Sequence, residues 1–324
     1  MGTMRLVVEA CSGAAPAEVS VDRLRELLPD RSRQLWLDIT DPGEAEVALL
    51  RATFGFHELA LEDVTRAHER PRCDVYGNYY FIVVYGAEHS GDAFIPRELN
   101  LFWGENYLVT IHRGSAAVLG LLAESRRRWE RNEQRQTQGV SCLAYTFFET
   151  LVDGYFVVQD RIVERVTAIE ESIFLGEEGA AADLFRLRKE LLRVPPLLAP
   201  TSHVLAEVLR RERLIPEQLR PYFADVQDHA VHVLAELDSQ RDLLGAALDT
   251  QVFYAFNRLG KIMQRLTAIT LIILVPNFVA SIYGMNFDRM WPPRGWDYGF
   301  VVVVVFLFVM VVWGFIHSRL LRWL

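Results

Sequence analysis

Two long uncharged apolar runs near the carboxyl end constrain this chain more than any other feature. Residues 266–287 include no formal charge, and neither do residues 298–316. An α-helix rises about 1.5 Å per residue, so each run can cross a hydrocarbon core roughly 30 Å thick. Helices buried in a soluble core are the alternative, but one soluble domain rarely holds two apolar runs of this length. The sequence therefore predicts an integral membrane protein with two spans in contact with lipid.

The segment between the runs, residues 288–297, contains Pro292 and Pro293 and predicts a short external loop. The spans then form an antiparallel hairpin with both chain ends on one side. Basic residues lie beside the spans on that side: Arg258, Lys261, Arg265, Arg319 and Arg322. The positive-inside rule places that side in the cytoplasm. Since residues 1–20 do not resemble a signal peptide, we expect a multi-pass protein of the cell inner membrane with cytoplasmic N- and C-termini.

Charge and cysteine content narrow the function classes. The formal net charge is −8, which argues against nucleic acid as a partner and is compatible with metal cations. The three cysteines, Cys11, Cys73 and Cys142, are far apart and have no metal-binding spacing. A disulfide framework is therefore not expected, and a reducing compartment fits.

The part before the spans predicts an α/β cytoplasmic domain over residues 1–138. Strands are expected at 5–10, 35–39, 79–85, 99–103 and 107–112, and helices at 21–28, 44–54, 58–68 and 116–132. Residues 139–220 predict two long helices in an antiparallel pair, with breaks at Val194-Pro195-Pro196 and at Pro200, where backbone donors are lost. The remaining elements are a stalk helix that continues into the first span (221–287), the external loop (288–297), the second span (298–316) and a cytoplasmic tail (317–324).

The stalk helix is expected to be very long, because no proline occurs between residues 222 and 275. A helix of about 80 Å cannot bury itself in one small domain, so it needs other helices or copies of itself beside it. An apolar seam at alternating steps of four and three residues supports this expectation. The apolar seam comprises Leu248, Val252, Ala255, Leu259, Ile262, Leu266, Ile269 and Ile273.

A second seam, the polar seam, follows the same helix with an offset of about one residue. It comprises Gly260, Met263, Thr267, Thr270, Leu274, Asn277 and Ser281. Small polar residues in a span often mark close helix packing, which is one interpretation. The other is a water-filled path along the axis of a symmetric bundle. In that case the hydroxyls and the amide would touch water or a hydrated ion, and Met263 and Leu274 would constrict the path.

Directly after the polar seam stands the motif Tyr283-Gly284-Met285-Asn286-Phe287. A Gly-Met-Asn triplet at the end of the first of two C-terminal spans resembles the CorA family of divalent metal cation (magnesium/cobalt) transporters. Other segments also look like that family: Leu61-Glu62-Asp63-Val64, Asn78-Tyr79-Tyr80-Phe81, Leu151-Val152-Asp153-Gly154 and Pro221-Tyr222-Phe223-Ala224-Asp225. The similarity runs from about residue 35 to the end.

The resemblance implies a funnel-shaped homo-oligomer, a pentamer, that moves hydrated magnesium, with cobalt or nickel as further substrates. No resident cofactor is expected, since magnesium would be both substrate and regulator. Gly284, Met285 and Asn286 would form the selectivity filter, although Asn286 could also cap the helix. Asp249 matches an acidic ring at the cytoplasmic end of the pore, and Leu266 matches a gate position beside Met263 and Leu274.

The resemblance also assigns four carboxylates, Glu62, Asp63, Glu149 and Asp225, to regulatory cation sites between cytoplasmic domains. Bound cation would bridge subunits and hold a closed state, and repulsion between the carboxylates would loosen the ring when the cation leaves. Four ordinary surface acids are the alternative. Asp225, Asp228, His229 and His232 share a helix face that could bind a transition metal or simply face solvent.

One departure from the family concerns the external loop. Residues 290–294 read Met-Trp-Pro-Pro-Arg and lack the acid that members often carry there, so attraction of cations to the outer mouth should be weaker. Two alternatives stay open: a proton-coupled zinc transporter of the same family, whose branch tends to have Gly-Ile-Asn, and a membrane-anchored enzyme or sensor. The sequence has no Gly-rich phosphate loop, nucleophile elbow or His-Glu-x-x-His motif, so no enzyme is predicted.

Overall fold

The chain divides into two compact units, Met1–Gly245 and Ala246–Leu324. The computed structural model describes residues 2–10, 17–66, 70–90, 93–131, 138–175, 179–211, 214–285, 291–293 and 296–320. The boundary between the units falls inside a single helix.

A seven-stranded sheet forms the centre of the first unit. Its strands are β1 (Thr3–Ala10), β2 (Ala17–Val19), β3 (Arg33–Thr40), β4 (Arg72–Tyr76), β5 (Tyr79–Ser90), β6 (Ala93–Trp103) and β7 (Tyr107–His112). They lie in the order β2-β1-β3-β7-β6-β5-β4. The central pair β3 and β7 is parallel, and the other described pairs are antiparallel.

Three helices pack with one face of this sheet: α1 (Leu24–Leu27), α2 (Glu44–Phe54) and α3 (Glu58–Thr65). Because strand residues alternate between faces, Leu35, Leu37 and Ile39 of β3 all join the same core. The ring of Phe56, between α2 and α3, stacks on Phe102 of β6 with centroids 4.0 Å apart. The α/β class predicted from the sequence is confirmed.

The opposite face of the sheet packs against α4 (Ala116–Arg131) and α5 (Val140–Leu175). Trp36 of β3 meets Trp129 of α4 edge to face, with centroids 6.4 Å apart. The buried Tyr155 hydroxyl of α5 donates a hydrogen bond to the Tyr85 carbonyl of β5 at 2.8 Å. The sheet therefore lies between two helical layers.

Two strands were missed in the sequence, and both lie at edges of the sheet. β2 has only three residues, and β4 carries Arg72 and Asp74 in place of an alternating apolar pattern. Charged residues are common on edge strands because they discourage pairing with other chains. The helix expected over 58–68 ends at Thr65, and residues 67 and 68 of that prediction lie outside the described residues.

The helical region after the sheet contains three described helices, not the predicted pair. After α5 the chain continues in α6 (Ala180–Leu191) and α7 (Pro195–Arg210). The division between α6 and α7 falls at residues 192–194, directly before Pro195 and Pro196, as predicted, whereas the break predicted at Pro200 is wrong because Pro200 lies inside α7. Proline lacks the N–H that would continue a helix, but it is well tolerated in a first turn, so the prolines start a new helix here.

The long helix predicted from the sequence is α8 (Arg220–Gly284), with 65 residues and a length of about 98 Å. Near its start, the Phe223 ring stacks on Trp103 with centroids 5.8 Å apart. A stripe at steps of three and four is then buried within the first unit: Phe223, Val226, Ala230, Val233, Leu237, Gln240 and Leu244. The apolar seam continues this stripe from Leu248 onward.

The second unit contains the rest of α8 and α9 (Gly299–Leu320). Both helices are long and apolar enough to cross a membrane by length and composition. Helix α9 extends to Leu320, whereas the predicted second span covers residues 298–316 and ends before the titratable residue His317.

A buried polar cluster joins the two parallel strands. Asp38 Oδ1 of β3 accepts a hydrogen bond from the Thr110 hydroxyl of β7 at 2.6 Å, and the same oxygen lies 3.3 Å from His112 Nε2. Burial alone lowers the pKa of His112, but the hydrogen bond and the negative charge of Asp38 outweigh burial, so this pKa is raised. The protonated imidazole is thus stabilised next to Asp38.

We expect Asp38→Asn to lower the melting temperature more at pH 6 than at pH 8.5. A raised histidine pKa contributes stability that is fully present below the unfolded value of about 6.5 and is lost as pH rises through the folded value. The measurement is thermal unfolding of the detergent-purified full-length protein at both pH values. The exposed Asp22→Asn variant is the control, and an equal loss for Asp38→Asn at both pH values would contradict the assignment.

Candidate functional site

In the second unit, α9 packs along one face of α8. The covered positions on α8 are Ala268, Ile272, Pro276, Val279 and Tyr283, and those on α9 are Val303, Leu307, Met310 and Gly314. A Cβ atom added at Gly314 would lie 3.3 Å from the Ile272 side chain. The glycine therefore lets the helices approach closely, as small residues do between membrane spans.

The polar seam lies on the opposite face of α8. At 3.6 residues per turn, its members are rotated by about 180° from the positions that face α9. All are exposed in the chain: Gly260, Met263, Thr267, Thr270, Leu274, Asn277 and Ser281. These residues therefore do not mediate the contact between α8 and α9.

The three hydroxyl groups of the polar seam are bonded to their own helix. Each hydroxyl donates to the carbonyl oxygen four residues earlier, at 2.8 Å for Thr267, Thr270 and Ser281. A hydroxyl has one hydrogen and two acceptor lone pairs. The hydroxyl oxygens therefore remain available as acceptors, which suits contact with water or with the hydration shell of a cation.

Two exposed residues continue the line of the polar seam toward the start of the second unit. Asp249, Phe256 and Met263 are spaced by seven residues and so lie on one helix face. The Phe256 side chain is 69% exposed. Asp249 was assigned from the family resemblance, whereas Phe256 was missed, although its heptad spacing from Asp249 and Met263 could have identified it.

The apolar seam is also exposed along the second unit. From Val252 onward, the exposed fraction of its large apolar side chains ranges from 45% at Ile269 to 63% at Ile273. Neither α9 nor any other described element covers this face of α8, although the stripe that precedes it is buried in the first unit. Its pattern is that of a helix that packs against further helices.

The Gly-Met-Asn motif begins at the end of α8. Gly284 is the last helical residue, and the Met285 N–H donates to the Ile282 carbonyl at 3.2 Å. The Tyr283 hydroxyl donates to the Trp291 carbonyl at 2.5 Å, so the chain after the motif is tied to the helix end. Asn286, the third residue of the predicted filter, lies outside the described residues.

Two of the four predicted regulatory carboxylates lie on α3 and are paired with arginines. Glu62 forms an ion pair with Arg66, one helical turn later. Asp63 pairs with Arg72 of β4 at 2.5 Å, and Arg72 also pairs with Asp74 at 2.8 Å. These carboxylates are therefore neutralised by cationic groups of their own chain.

The other two carboxylates lie on α5 and α8. Glu149 accepts a hydrogen bond from the Tyr145 hydroxyl at 2.5 Å, and its carboxylate lies 3.7 Å from the Arg128 guanidinium. Asp225 is mostly exposed, and its nearest ion-pair partner is His229 at 3.8 Å. Within the parts of the chain that the structure describes, no group of three or more Asp, Glu, His or Cys side chains could hold a metal ion. A complete cation site is thus not assembled from these four residues in one chain.

The transition-metal face suggested on α8 is not supported, because Asp225, Asp228, His229 and His232 are not a metal-holding group among the described residues. Both histidine rings contact Phe156 of α5 instead. The ring centroids lie 5.7 Å apart for His229 and 6.4 Å apart for His232. Periodicity placed the four residues on one face but could not reveal that an aromatic side chain occupies it.

Comparison with known proteins places the chain in a family. A family model described as CorA-like Mg2+ transporter protein matches residues 32–322. The protein YfjQ of Bacillus subtilis is 31% identical over 289 residues, covering 87% of this chain and 88% of YfjQ. The cobalt/magnesium transport protein CorA of Thermotoga maritima is 28% identical over 314 residues, covering 95% of this chain and 89% of that protein.

The fold is also shared with a solved structure. The complete structure of the CorA magnesium transporter from Methanocaldococcus jannaschii superposes with a TM-score of 0.80 over 97% of both chains, at 20% identity. At this identity the likeness shows the fold alone. Since the family model spans most of the sequence, this chain belongs to the CorA-like Mg2+ transporter family of membrane proteins, which are divalent cation transporters and not enzymes.

Proposed function

We propose that this chain forms a homopentamer in the cell inner membrane and passes hydrated magnesium through an axial path lined by the polar seam. The observation that carries the proposal is the position of that seam, on the face of α8 opposite α9. In a ring of hairpins with α9 on the lipid side, this face lines the axis. A helix that only anchors a soluble enzyme or sensor has no use for hydroxyls and an amide on such a face.

The exposed apolar seam supports assembly from several copies. Val252, Leu259 and Ile262 precede the first span and are more than half exposed. Fully burying such a side chain from water contributes about 1.5–3 kcal/mol, so copies that meet along this part of the seam stabilise one another. Inside lipid this gain vanishes, and close packing holds the helices together. The number five follows from the resemblance to the CorA family.

Magnesium is the preferred substrate because it dehydrates reluctantly and can pass with its first water shell. The hydroxyl oxygens of the polar seam and the amide oxygens of Asn277 and Asn286 would accept hydrogen bonds from that shell. A ring of Asp249 side chains would concentrate cations at the cytoplasmic end. A membrane potential supplies about 2.3 kcal/mol per elementary charge per 100 mV, so a divalent ion gains about twice that on entry.

The gate would comprise the bulky apolar residues near the path, Met263, Leu266 and Leu274. Control would come from internal magnesium that binds Glu62, Asp63, Glu149 and Asp225 between adjacent cytoplasmic domains. The ion pairs within one chain add a competition for the carboxylates to this mechanism of control. Internal magnesium would compete with Arg72 for Asp63 and with Arg66 for Glu62, so the arginines set how much magnesium is needed for closure.

Dye-reported magnesium entry into proteoliposomes tests the proposed function. Asn286→Ala should abolish entry, because the amide ring at the outer mouth is lost, whereas Asn257→Ala on another face of α8 should not. Entry that persists in Asn286→Ala would remove the filter assignment. If the wild type admits no magnesium, cobalt, nickel or zinc, with or without a proton gradient, the anchored enzyme or sensor becomes the better hypothesis.

The path itself is tested by Asn277→Leu. Loss of a polar contact to the hydrated magnesium ion should reduce magnesium entry by about tenfold or more. The matched control is Phe278→Leu, which changes the next residue on a face rotated by about 100°. Equal entry by Asn277→Leu and the wild type would show that the polar seam does not line the path.

The regulatory role of the carboxylates is tested in vesicles loaded with increasing concentrations of magnesium. The quantity measured is the internal magnesium concentration that reduces magnesium entry by half. Asp63→Asn or Asp225→Asn should raise this concentration because a ligand is lost. Arg72→Gln should lower it, because Asp63 no longer has a competing cation. Arg51→Gln, which removes a surface ion pair with Glu58 at the other end of α3, is the control. No shift in either direction would reject regulation through Asp63.

A further inference from the structure

Three basic residues, the basic stripe, continue the face of α8 that α9 covers. Arg258, Lys261 and Arg265 follow one another at steps of three and four residues, and Ala268 comes three residues later. The same steps separate the positions that α9 covers: Ala268, Ile272, Pro276, Val279 and Tyr283. The basic stripe therefore lies on this face, rotated by about 180° from the polar seam, and it contains none of the residues assigned above to the ion path or to cation regulation.

The described part of α9 does not cover the basic stripe. Ala268 is 3% exposed, and Gly314 of α9 lies beside Ile272. From Gly314, α9 continues for about 9 Å to its end at Leu320, which brings it near the level of Leu266. Below this level all three basic side chains are exposed, and within the part of the chain that the structure describes none of them has an ion-pair or hydrogen-bond partner.

The basic stripe lies directly before the charge-free part of α8. Residues 266–287 include no formal charge, so the hydrocarbon core begins near Leu266. On α9, the Trp313 side chain is 66% exposed, and its ring stacks on His317 with centroids 5.2 Å apart. An exposed tryptophan at the end of an apolar run is typical of the level of lipid head groups. The basic stripe extends about 10 Å from this level, and long basic side chains reach head groups from such positions.

The charge at this end of the spans is almost entirely positive. Arg319 and Arg322 follow the second apolar run and add two basic residues to the three of the basic stripe. Asp249 is the one acidic residue of the second unit at this end, and it lies on the opposite face of α8, because Asp288 and Asp297 belong to the loop between the spans. An exposed group of cations without counter-charges at the head-group level attracts anionic lipid.

We propose that the basic stripe binds the head groups of anionic phospholipids in the leaflet at the amino-terminal end of the first span. Phosphate oxygens accept hydrogen bonds from the guanidinium groups of Arg258 and Arg265 and from the Lys261 ammonium group. A zwitterionic lipid also has a phosphate, but its own ammonium group is repelled by the basic stripe. Bound anionic lipid fixes the depth at which α8 enters the membrane. The inference requires only that α8 crosses the membrane and does not depend on the ion path.

The test is native mass spectrometry of the detergent-purified full-length protein, without divalent cations, in an equimolar mixture of phosphatidylglycerol and phosphatidylcholine. The two lipids have the same acyl chains and one phosphate each, so a difference in binding reports the head-group charge. We expect phosphatidylglycerol to be bound in preference by roughly tenfold or more, since each basic residue at an anionic lipid surface contributes about fivefold. Lys261→Gln should lower the preference several-fold, and Lys261→Arg should retain it.

The matched control is Arg294→Gln, which removes one positive charge from the loop at the other end of the spans and should leave the preference unchanged. The double variant Arg258→Gln with Arg265→Gln should abolish it. If the double variant does not insert, Lys261→Gln and its control still decide the test. The proposal is overturned by equal binding of the two lipids to the wild type, by an Arg294→Gln effect as large as that of Lys261→Gln, or by loss of the preference in Lys261→Arg. Magnesium entry is not measured here, so this proposal and the proposed function can fail separately.

Discussion

Lipid offers no hydrogen-bond partners to a peptide group, and the architecture of the second unit depends on this constraint. A segment that crosses hydrocarbon must satisfy its N–H and C=O groups within itself, which a helix does along its whole length. Helix α8 remains unbroken from Arg220 to Gly284, and α9 starts again at Gly299.

One apolar stripe along α8 has two different environments. From Phe223 to Leu244 it is buried by other parts of the first unit, and from Val252 it is exposed. The residue pattern is almost the same in both halves, so periodicity alone could not distinguish them. The difference arises from which elements the chain folds onto the helix. The exposed half is the surface on which copies of the chain would meet, and the polar seam lies beside it.

Sequence patterns predicted the parts of the molecule that depend on short-range periodicity. The α/β class, the helix at 44–54, the strand at 107–112 and the long helix were found because their apolar residues recur at the period of the element. The edge strands were missed because their patterns are short or charged, and residues 139–220 contain three described helices where a pair was predicted. The Asp63–Arg72 pair joins α3 to the edge strand β4, and these elements meet only in the folded state, so no local pattern could reveal the pair.

The hydroxyls of the polar seam have a consequence for protons as well as for ions. Proton hopping along a chain of hydroxyls and waters requires each hydroxyl to accept a proton on one side and release its own on the other. Thr267, Thr270 and Ser281 have their hydrogens committed to carbonyls of α8. A column of such groups can orient water but cannot relay a proton until a side chain rotates away from the helix. The same local bonds that make these residues tolerable in a membrane helix therefore interrupt a proton wire along that face.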